Sequence, residues 1–241
     1  MTNNPNTSLK GKQLQEYLRK SIGVRVPKRL LPLFESVWLP QSPSMKKADS
    51  NERLGFLGES ILNCILSEYL YEKFPLADSA YLEELCSRIT HHAHLSRMAQ
   101  RLRMEFQPSV SDEDALLLRD YIYSDILKAC IGAIGLAKGF KQTQRLVMRH
   151  LKQQEQTIKE IGSNNPNYKG KIIAWGQRNK AEIRFKLAKE IKYKGKNLHI
   201  VSLYINNEWV SNGCDTLVKN AEQHASLNAL ETLSINNDAD V

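Results

Sequence analysis

The stretch Asn51–Ser60, NERLGFLGES, decides the fold of the first half of the chain. Apolar residues recur along it and beyond it every three to five positions: Leu54, Leu57, Ile61, Ile65 and Leu70. This spacing predicts an amphipathic helix with one apolar stripe. The same helix carries two acidic side chains, Glu52 and Glu59, with a glycine between them at Gly55.

The composition predicts a globular protein of one large or two modest domains in 241 residues. No apolar run approaches the roughly 20 residues that span a bilayer, so we expect no contact with a membrane. The first residues, MTNNPNTSLKGK, contain no apolar core typical of a secretory signal. The four cysteines are far apart and show no metal-ligand spacing, which predicts reduced, buried thiols in a cytoplasmic protein.

Helical periodicity continues from Leu9 to about His150 and predicts further helices over Tyr81–Met104, Leu116–Leu136 and Thr143–Ile161. The run GSNNPN at residues 162–167 is typical of a helix end followed by a linker. We therefore predict a helical domain over residues 9–161, a linker over 162–167 and a second domain over 168–235.

The second domain has a different period. Tyr168–Gln177 is predicted to be a helix, and Glu182–Ile191, His199–Ile205 and Trp209–Ser211 are predicted to be strands. Lys192–Asn197 is expected to join the first two strands. A last helix, which Asp215 or Thr216 could cap, carries a small residue at every fourth position: Ala221, Ala225 and Ala229. The predicted order is α-β-β-β-α.

The net charge of +8 is concentrated in one segment. Lys169–Lys196 contains ten lysines and arginines and two acidic residues, and the rest of the chain is neutral overall. Such a density of positive charge indicates a polyanionic partner, most often nucleic acid. The alternative interpretation is a strand and turn that lysines keep solvated.

Three motifs in this order carry a resemblance to a known family. NERLGFLGES strongly resembles the signature helix of the ribonuclease III family, which usually reads NERLEFLGDS. KIIAWGQRNK (171–180) and AEQHASLNAL (221–230) resemble the first and last helices of a double-stranded-RNA-binding domain. Over about residues 10–235, the resemblance implies an all-α ribonuclease III-type endonuclease domain followed by an α+β RNA-binding domain.

The resemblance also implies an acidic site, and this chain departs from it. Family members hold Mg²⁺ with carboxylates from two helices. Of these positions and the neighbouring acidic ones, three keep a carboxylate: Glu52, Glu59 and Asp125. Three are disrupted: Gly55, Ser79 and Lys128. We expect the Lys128 amine within about 4 Å of Glu59 or Asp125. Without the family, these acids would be interpreted as helix-surface groups paired with lysines.

Two other segments bear on the chemistry. The family's Thr-His-Arg-Ser motif before the signature helix is replaced here by LPQS at residues 39–42. In ITHHAHL (89–95), the histidine spacing does not place three ligands on one helical face, so we predict solvated histidines rather than a metal site.

The resemblance implies three RNA contacts, in the first helix, the first strand connection and the start of the last helix. The family's glutamate is Ala174 here, and its Ser-Lys-Lys motif is reduced to Leu217, Val218 and Lys219. The candidate RNA-binding residues are Lys171, Gln177, Lys192, Lys194, Lys196 and Lys219.

These observations predict a catalytically inactive, ribonuclease III-like protein that binds double-stranded or structured RNA, for example in rRNA metabolism. No cofactor is expected. One alternative is an active Mg²⁺-dependent endoribonuclease, and another is a protein-interaction partner of an intact paralogue. The family implies a homodimer through the signature helix, and a heterodimer with a paralogue stays open.

Overall fold

The computed structural model describes residues 10–38, 51–104, 116–152 and 167–233, and the chain divides into two compact units at residues 164 and 165. Several predicted positions lie outside the described residues: the LPQS motif at 39–42, the helix end toward Ile161, the linker except for Asn167, and the outer domain limits at residues 9 and 235. Among the described helices, none combines the length and the apolar character that crossing a membrane requires.

The first unit is helical, in agreement with the prediction. Short helical turns at Leu18–Ile22, Lys28–Leu30 and Ser36–Trp38 connect its first elements. The α-helices are α1 (Gly11–Tyr17), α2 (Leu31–Glu35), α3 (Glu52–Lys73), α4 (Ser79–Ile89), α5 (His92–Arg101), α6 (Arg119–Lys138) and α7 (Phe140–Lys152).

Helices α3 and α6 cross at very short range in the centre of this unit. A Cβ atom on Gly58 would lie 1.7 Å from the carbonyl oxygen of Lys128, and one on Gly132 would lie 2.2 Å from that of Leu54. Only glycine therefore permits this approach of the two backbones. Gly58 is buried in the face that packs on α6, whereas Leu57 and Ile61 of the predicted stripe are only half-buried.

The single helix predicted over Tyr81–Met104 is wrong, because the structure has two helices there. Thr90 ends α4, and its hydroxyl donates to the carbonyl of Cys86 at 2.9 Å. The next residue, His91, has extended backbone, and its Nδ1 accepts from the amide of Ala93 at 3.4 Å. The Thr90 hydroxyl shares the Cys86 carbonyl with the Thr90 amide, and the His91 side chain caps the first turn of α5, so a new helix begins at this point.

The four cysteines are all free thiols, and they differ in burial. Cys130 and Cys214 are buried, and burial raises the pKa of the Cys130 thiol to about 12. Cys64 is exposed on α3, so the prediction of buried thiols is wrong at this position.

The second unit confirms the predicted order α-β-β-β-α. It consists of α8 (Tyr168–Arg178), β1 (Ile183–Tyr193), β2 (Lys196–Ile205), β3 (Glu208–Asp215) and α9 (Val218–Thr232). The strands form an antiparallel sheet in the order β1-β2-β3. Asp215 does not cap α9; its carboxylate accepts from the amide of Leu217 at 3.0 Å, and the helix begins after Leu217.

Both helices pack on one face of the sheet. Leu203 of β2 joins Ile172 of α8 and Ala225 and Ala229 of α9 in one buried cluster. A Cβ on Gly213 of β3 would lie 2.0 Å from the carbonyl oxygen of Ala221. The alanines and this glycine therefore let α9 lie close on the sheet, as the four-residue spacing of small residues predicted.

Candidate functional site

The acidic site predicted on the helical unit is spanned by a salt bridge. The Nζ atom of Lys128 on α6 lies 2.7 Å from Oε1 of Glu59 on α3. This confirms the expectation that the Lys128 amine lies within about 4 Å of Glu59 or Asp125. The Lys128 side chain is 17% exposed and that of Glu59 is 50% exposed, so the pair lies at the edge of the helix interface.

The helix crossing explains why these two side chains meet. Gly58 directly precedes Glu59, and its Cα faces the backbone of Lys128 without an intervening side chain. Glu59 and Lys128 are therefore attached beside the closest point between the helices. Lys128 and Glu59 are 69 residues apart in sequence, and the contact between the two helix backbones brings them together. The long lysine side chain then reaches the carboxylate at the edge of the interface.

The positions that lost their acids no longer offer a carboxylate. Gly55 faces open space, since a Cβ there would have no neighbour within 4 Å. Ser79 is the first residue of α4, and the acid next to it, Asp78, caps this helix by accepting from the amide of Tyr81 at 2.8 Å. Glu52 opens α3 and Asp125 lies on α6, and both are half-buried.

This donor set does not fit Mg²⁺. The ion requires hard oxygen ligands in nearly octahedral geometry. Here one retained carboxylate, that of Glu59, accepts a hydrogen bond from an ammonium group, and two of the family's carboxylate positions are Gly55 and Lys128. A fixed positive charge at this distance opposes the approach of a second cation. The arrangement therefore stabilises the contact between α3 and α6 without a metal.

The candidate RNA-binding residues of the second unit are all exposed. Lys171 and Gln177 lie on α8, and Lys219 lies in the first turn of α9. Lys192 and Lys196 lie in the paired ends of β1 and β2, whereas the sequence predicts a connection over the whole of Lys192–Asn197. That prediction is wrong in its extent.

The connection is a tight turn of two residues. Lys194 has φ of 48° and Gly195 has φ of 78°, and two successive left-handed residues are typical of a hairpin turn that matches the twist of the strands. The Lys194 ammonium lies 5.6 Å from the centre of the Tyr193 ring. The turn thus presents Lys192, Lys194 and Lys196 on a hydrogen-bonded hairpin rather than on an unpaired loop.

One lysine of the basic segment has a structural role that the sequence did not indicate. Lys169 forms an ion pair with Glu222 of α9 at 2.6 Å, and its amide donates to Gln223. Asn167 caps α8 by accepting from Gly170 and also contacts Gln223. These contacts join the two helices of the second unit, so part of the basic segment is used to hold the fold.

The histidines predicted to be solvated are not. His94 is 7% exposed, and burial, with smaller contributions from Arg97, Arg101 and His91, lowers its pKa from 6.5 to about 4. Its Nε2 atom has no hydrogen-bond partner among the described residues. His92 is half-buried and stacks on Tyr121 at 3.8 Å between ring centroids. These histidines belong to the packing of α5 against α6.

A groove of about 690 Å³ lies beside the signature helix, and its lining is mostly apolar, with Ser36, Glu52 and Arg53 as its polar members. Leu33 of α2, Leu54 and Leu57 of α3 and Leu136 of α6 contribute to its walls. Phe56, also on its lining, is 77% exposed, and Leu136 is 61% exposed. The sequence signal for this groove was present in NERLGFLGES, because the phenylalanine falls outside the apolar stripe of its own helix.

Comparisons with known proteins agree with this architecture. A family model described as Ribonuclease-III-like matches residues 37–154. Ribonuclease 3 of Zunongwangia profunda is 28% identical over 94% of this chain and 93% of its own length. Ribonuclease 3 of Azobacteroides pseudotrichonymphae is 27% identical over 83% and 78%. The nuclease domain of ribonuclease III from Campylobacter jejuni superimposes with a TM-score of 0.50 at 28% identity, covering 57% of this chain and 96% of that domain.

Proposed function

Because this chain belongs to the ribonuclease III family, we propose that it is an RNA-binding protein whose nuclease-type domain does not cleave RNA. The observation that carries the proposal is the contact of 2.7 Å between Lys128 and Glu59, at two positions where the family has metal-binding carboxylates. Catalysis by Mg²⁺ depends on the ion polarising a phosphate and lowering the pKa of an attacking water. The Lys128 ammonium, held by Glu59, supplies positive charge, but it cannot coordinate a water molecule and lower the pKa of that water.

The second unit supports the RNA-binding part of the proposal. Its fold resembles a double-stranded-RNA-binding domain. Its exposed lysines lie on the hairpin at residues 192–196 and, with Lys219, in the first turn of α9. Such domains contact phosphates and 2′-hydroxyls over about 16 base pairs, largely by shape. Duplex or structured RNA, such as a folded region of rRNA, is therefore the proposed partner.

We also propose that two copies associate through the groove beside α3. The Campylobacter jejuni nuclease domain was described in terms of a region involved in its dimer formation. In this chain, an aromatic side chain that is 77% exposed lies next to an apolar groove. Exposed apolar surface of this kind marks association sites, and a two-fold dimer would bring Phe56 of each copy to the groove of the other.

Cleavage and binding are separated in one experiment on the full chain. The protein is incubated with long duplex RNA in EDTA, Mg²⁺ or Mn²⁺, and the RNA is analysed on a denaturing gel. We expect intact RNA in all lanes and a retarded complex on a native gel. Metal-dependent cleavage that survives a second purification, and that Glu59→Ala abolishes, would replace the proposal with the active-enzyme alternative.

The binding surface is tested by removing its charge. Replacing the lysines of the proposed surface by alanine should weaken duplex binding and reduce the slope of log affinity against log salt by roughly 0.7–0.9 for each phosphate that is no longer neutralised. These are Lys192, Lys194, Lys196 and Lys219. A matched variant removes four exposed lysines of the helical unit: Lys10, Lys12, Lys28 and Lys141. An equal loss of duplex affinity in both variants would show that only the net charge of the protein matters. If the parent does not bind duplex RNA, the alternative of a partner for an intact paralogue is favoured.

A further inference from the structure

The sheet of the second unit has a face that its own helices do not cover. Side chains alternate between the two faces of a strand. Leu203 of β2 and Gly213 of β3 point toward the helices. Their neighbours on these strands, Tyr204 and Asn212, therefore lie on the opposite face. Ser202 lies on that face too and pairs with Asn212, with its hydroxyl donating to the Asn212 side chain at 2.7 Å.

A row of three residues crosses this face at one end of the sheet. Arg184 of β1 is the register partner of Tyr204 on β2, and Tyr204 is the register partner of Trp209 on β3. A bulge in β3 at this point interrupts the alternation, so Trp209 lies on the same face as Asn212, to which its indole donates. The next row on β1 adds Lys186, the partner of Ser202. Directly opposed residues on one face have Cβ atoms about 4.5–5.5 Å apart. Two aromatic rings and two cationic side chains thus form one contiguous surface, which we call the aromatic row.

The indole of Trp209 is exposed and yet held in place. It is 58% exposed, the largest exposure of the three tryptophans, since Trp38 is buried and Trp175 is half-buried. Its Nε1 donates to Oδ1 of Asn212 at 3.0 Å, so the ring lies along β3 toward Asn212. A ring fixed by a hydrogen bond loses little freedom when a ligand stacks on it.

The cations beside the rings are available to a ligand. Arg184 is paired with Glu182 at 2.8 Å, but its side chain is 60% exposed, and exposed pairs of this kind hold each other weakly. Lys186 is exposed next to it. The face therefore combines flat π-surfaces for stacking with positive charge for phosphate, which is the combination that unpaired nucleotides bind.

We propose that the aromatic row binds single-stranded RNA, with a base on Trp209, a second base at Tyr204, and the connecting phosphates near Arg184 and Lys186. Duplex RNA does not fit this surface, because its bases are stacked on one another and their faces are not accessible. The row is also distinct from the predicted duplex contacts, which lie on α8, the 192–196 hairpin and the start of α9. One domain would then recognise a duplex and an unpaired strand that adjoins it.

The experiment uses the full chain and a 12-nucleotide oligouridine, which forms no duplex. Stacking on Trp209 should quench tryptophan fluorescence, and the quench should vanish in Trp209→Phe, while Trp38 and Trp175 remain as internal references. By filter binding, Trp209→Ala should weaken the affinity by roughly 5- to 150-fold, the range expected for loss of one base–aromatic stack. Trp209→Phe, which keeps an aromatic ring, should lose less.

A matched control and a parallel measurement keep the outcomes distinct. Phe140→Ala removes a ring that is 43% exposed on the helical unit and should leave oligouridine binding unchanged. Binding to duplex RNA is measured on the same variants and should not depend on Trp209. Unaltered oligouridine affinity in a folded Trp209→Ala protein overturns the inference. A parallel loss of duplex binding also overturns it, because the aromatic row would then bind duplex RNA. A loss of self-association overturns it as well, because the row would then contact a second copy of the chain. Absence of duplex binding in the parent affects only the function proposed above.

Discussion

Restoring two carboxylates should return a metal site to the helical unit. The change is Gly55→Glu together with Lys128→Glu. A Cβ at position 55 meets nothing within 4 Å, so a side chain can start there without a clash at the backbone. A carboxylate at position 128 would replace an ammonium that lies 2.7 Å from Glu59. The double variant would then carry acidic groups on both α3 and α6, in the pattern that the family resemblance implies.

The expected free energies follow from this geometry. Two like charges about 4 Å apart at an effective dielectric constant of about 20 repel by about 4 kcal/mol. Because the Glu59 side chain is 50% exposed, solvent screening should reduce the loss in Lys128→Glu to about 1–2 kcal/mol. Gly55→Glu should recover up to about 1 kcal/mol, because glycine in a helix costs about that much. Metal binding with a Kd of about 1 mM would add about 1.4 kcal/mol at about 10 mM Mg²⁺.

Thermal unfolding measures these terms directly. One kcal/mol shifts the midpoint by roughly 2–4 °C in a protein of this size, so Mg²⁺ should raise the midpoint of the double variant by roughly 3–6 °C. The parent should show no such rise beyond that in NaCl of the same ionic strength, and calorimetry should detect heat of binding only in the double variant. An equal rise in the parent would refute the idea that Lys128 displaces the metal. No rise in a folded double variant would show that the backbone frame no longer suits Mg²⁺.

Three other substitutions test the packing and the association surfaces. Burial lowers the pKa of His94 from 6.5 to about 4, so between these pH values the unfolded chain binds a proton at this histidine and the folded chain does not. The free energy of unfolding should therefore fall by up to about 3 kcal/mol as the pH decreases through this range. Urea unfolding at pH 7.5 and 4.5 should show this fall in the parent and much less of it in His94→Leu. Gly58→Ala should destabilise by about 1–3 kcal/mol or more, since its Cβ meets a carbonyl oxygen at 1.7 Å, whereas Gly55→Ala should be neutral or stabilising in the same denaturation assay. Phe56→Asp should weaken self-association, measured by light scattering, by about 100-fold or more, because each of the two copies loses a buried ring worth about 1.5–3 kcal/mol. Tyr71→Asp is the control, since Tyr71 is 75% exposed on the same helix, and it should leave self-association unchanged.

Sequence periodicity was sufficient for most elements, because the signal for a helix or strand is local. The alternation in Glu182–Ile191 and His199–Ile205 predicted β1 and β2, and the alanines at every fourth position predicted α9 packed on a sheet. The failures have local causes as well. At Thr90 and His91, side chains bond to the backbone and end a helix inside a continuous apolar pattern. At the 192–196 hairpin, a lysine takes the left-handed conformation beside a glycine, which shortens the predicted connection.

The sequence by itself determined which acids are missing, where the positive charge lies and in what order the elements follow. The family resemblance predicted that the Lys128 amine lies near Glu59 or Asp125, but only the structure shows that its partner is Glu59, because the two residues are 69 positions apart and meet through the glycine crossing of α3 and α6. Nor could the sequence show that His94 is buried or that Trp209 lies in a row with Tyr204 and Arg184. Burial and cross-strand pairing are properties of three-dimensional packing. They depend on contacts between distant segments, and the local sequence of one segment does not specify which other segment it contacts.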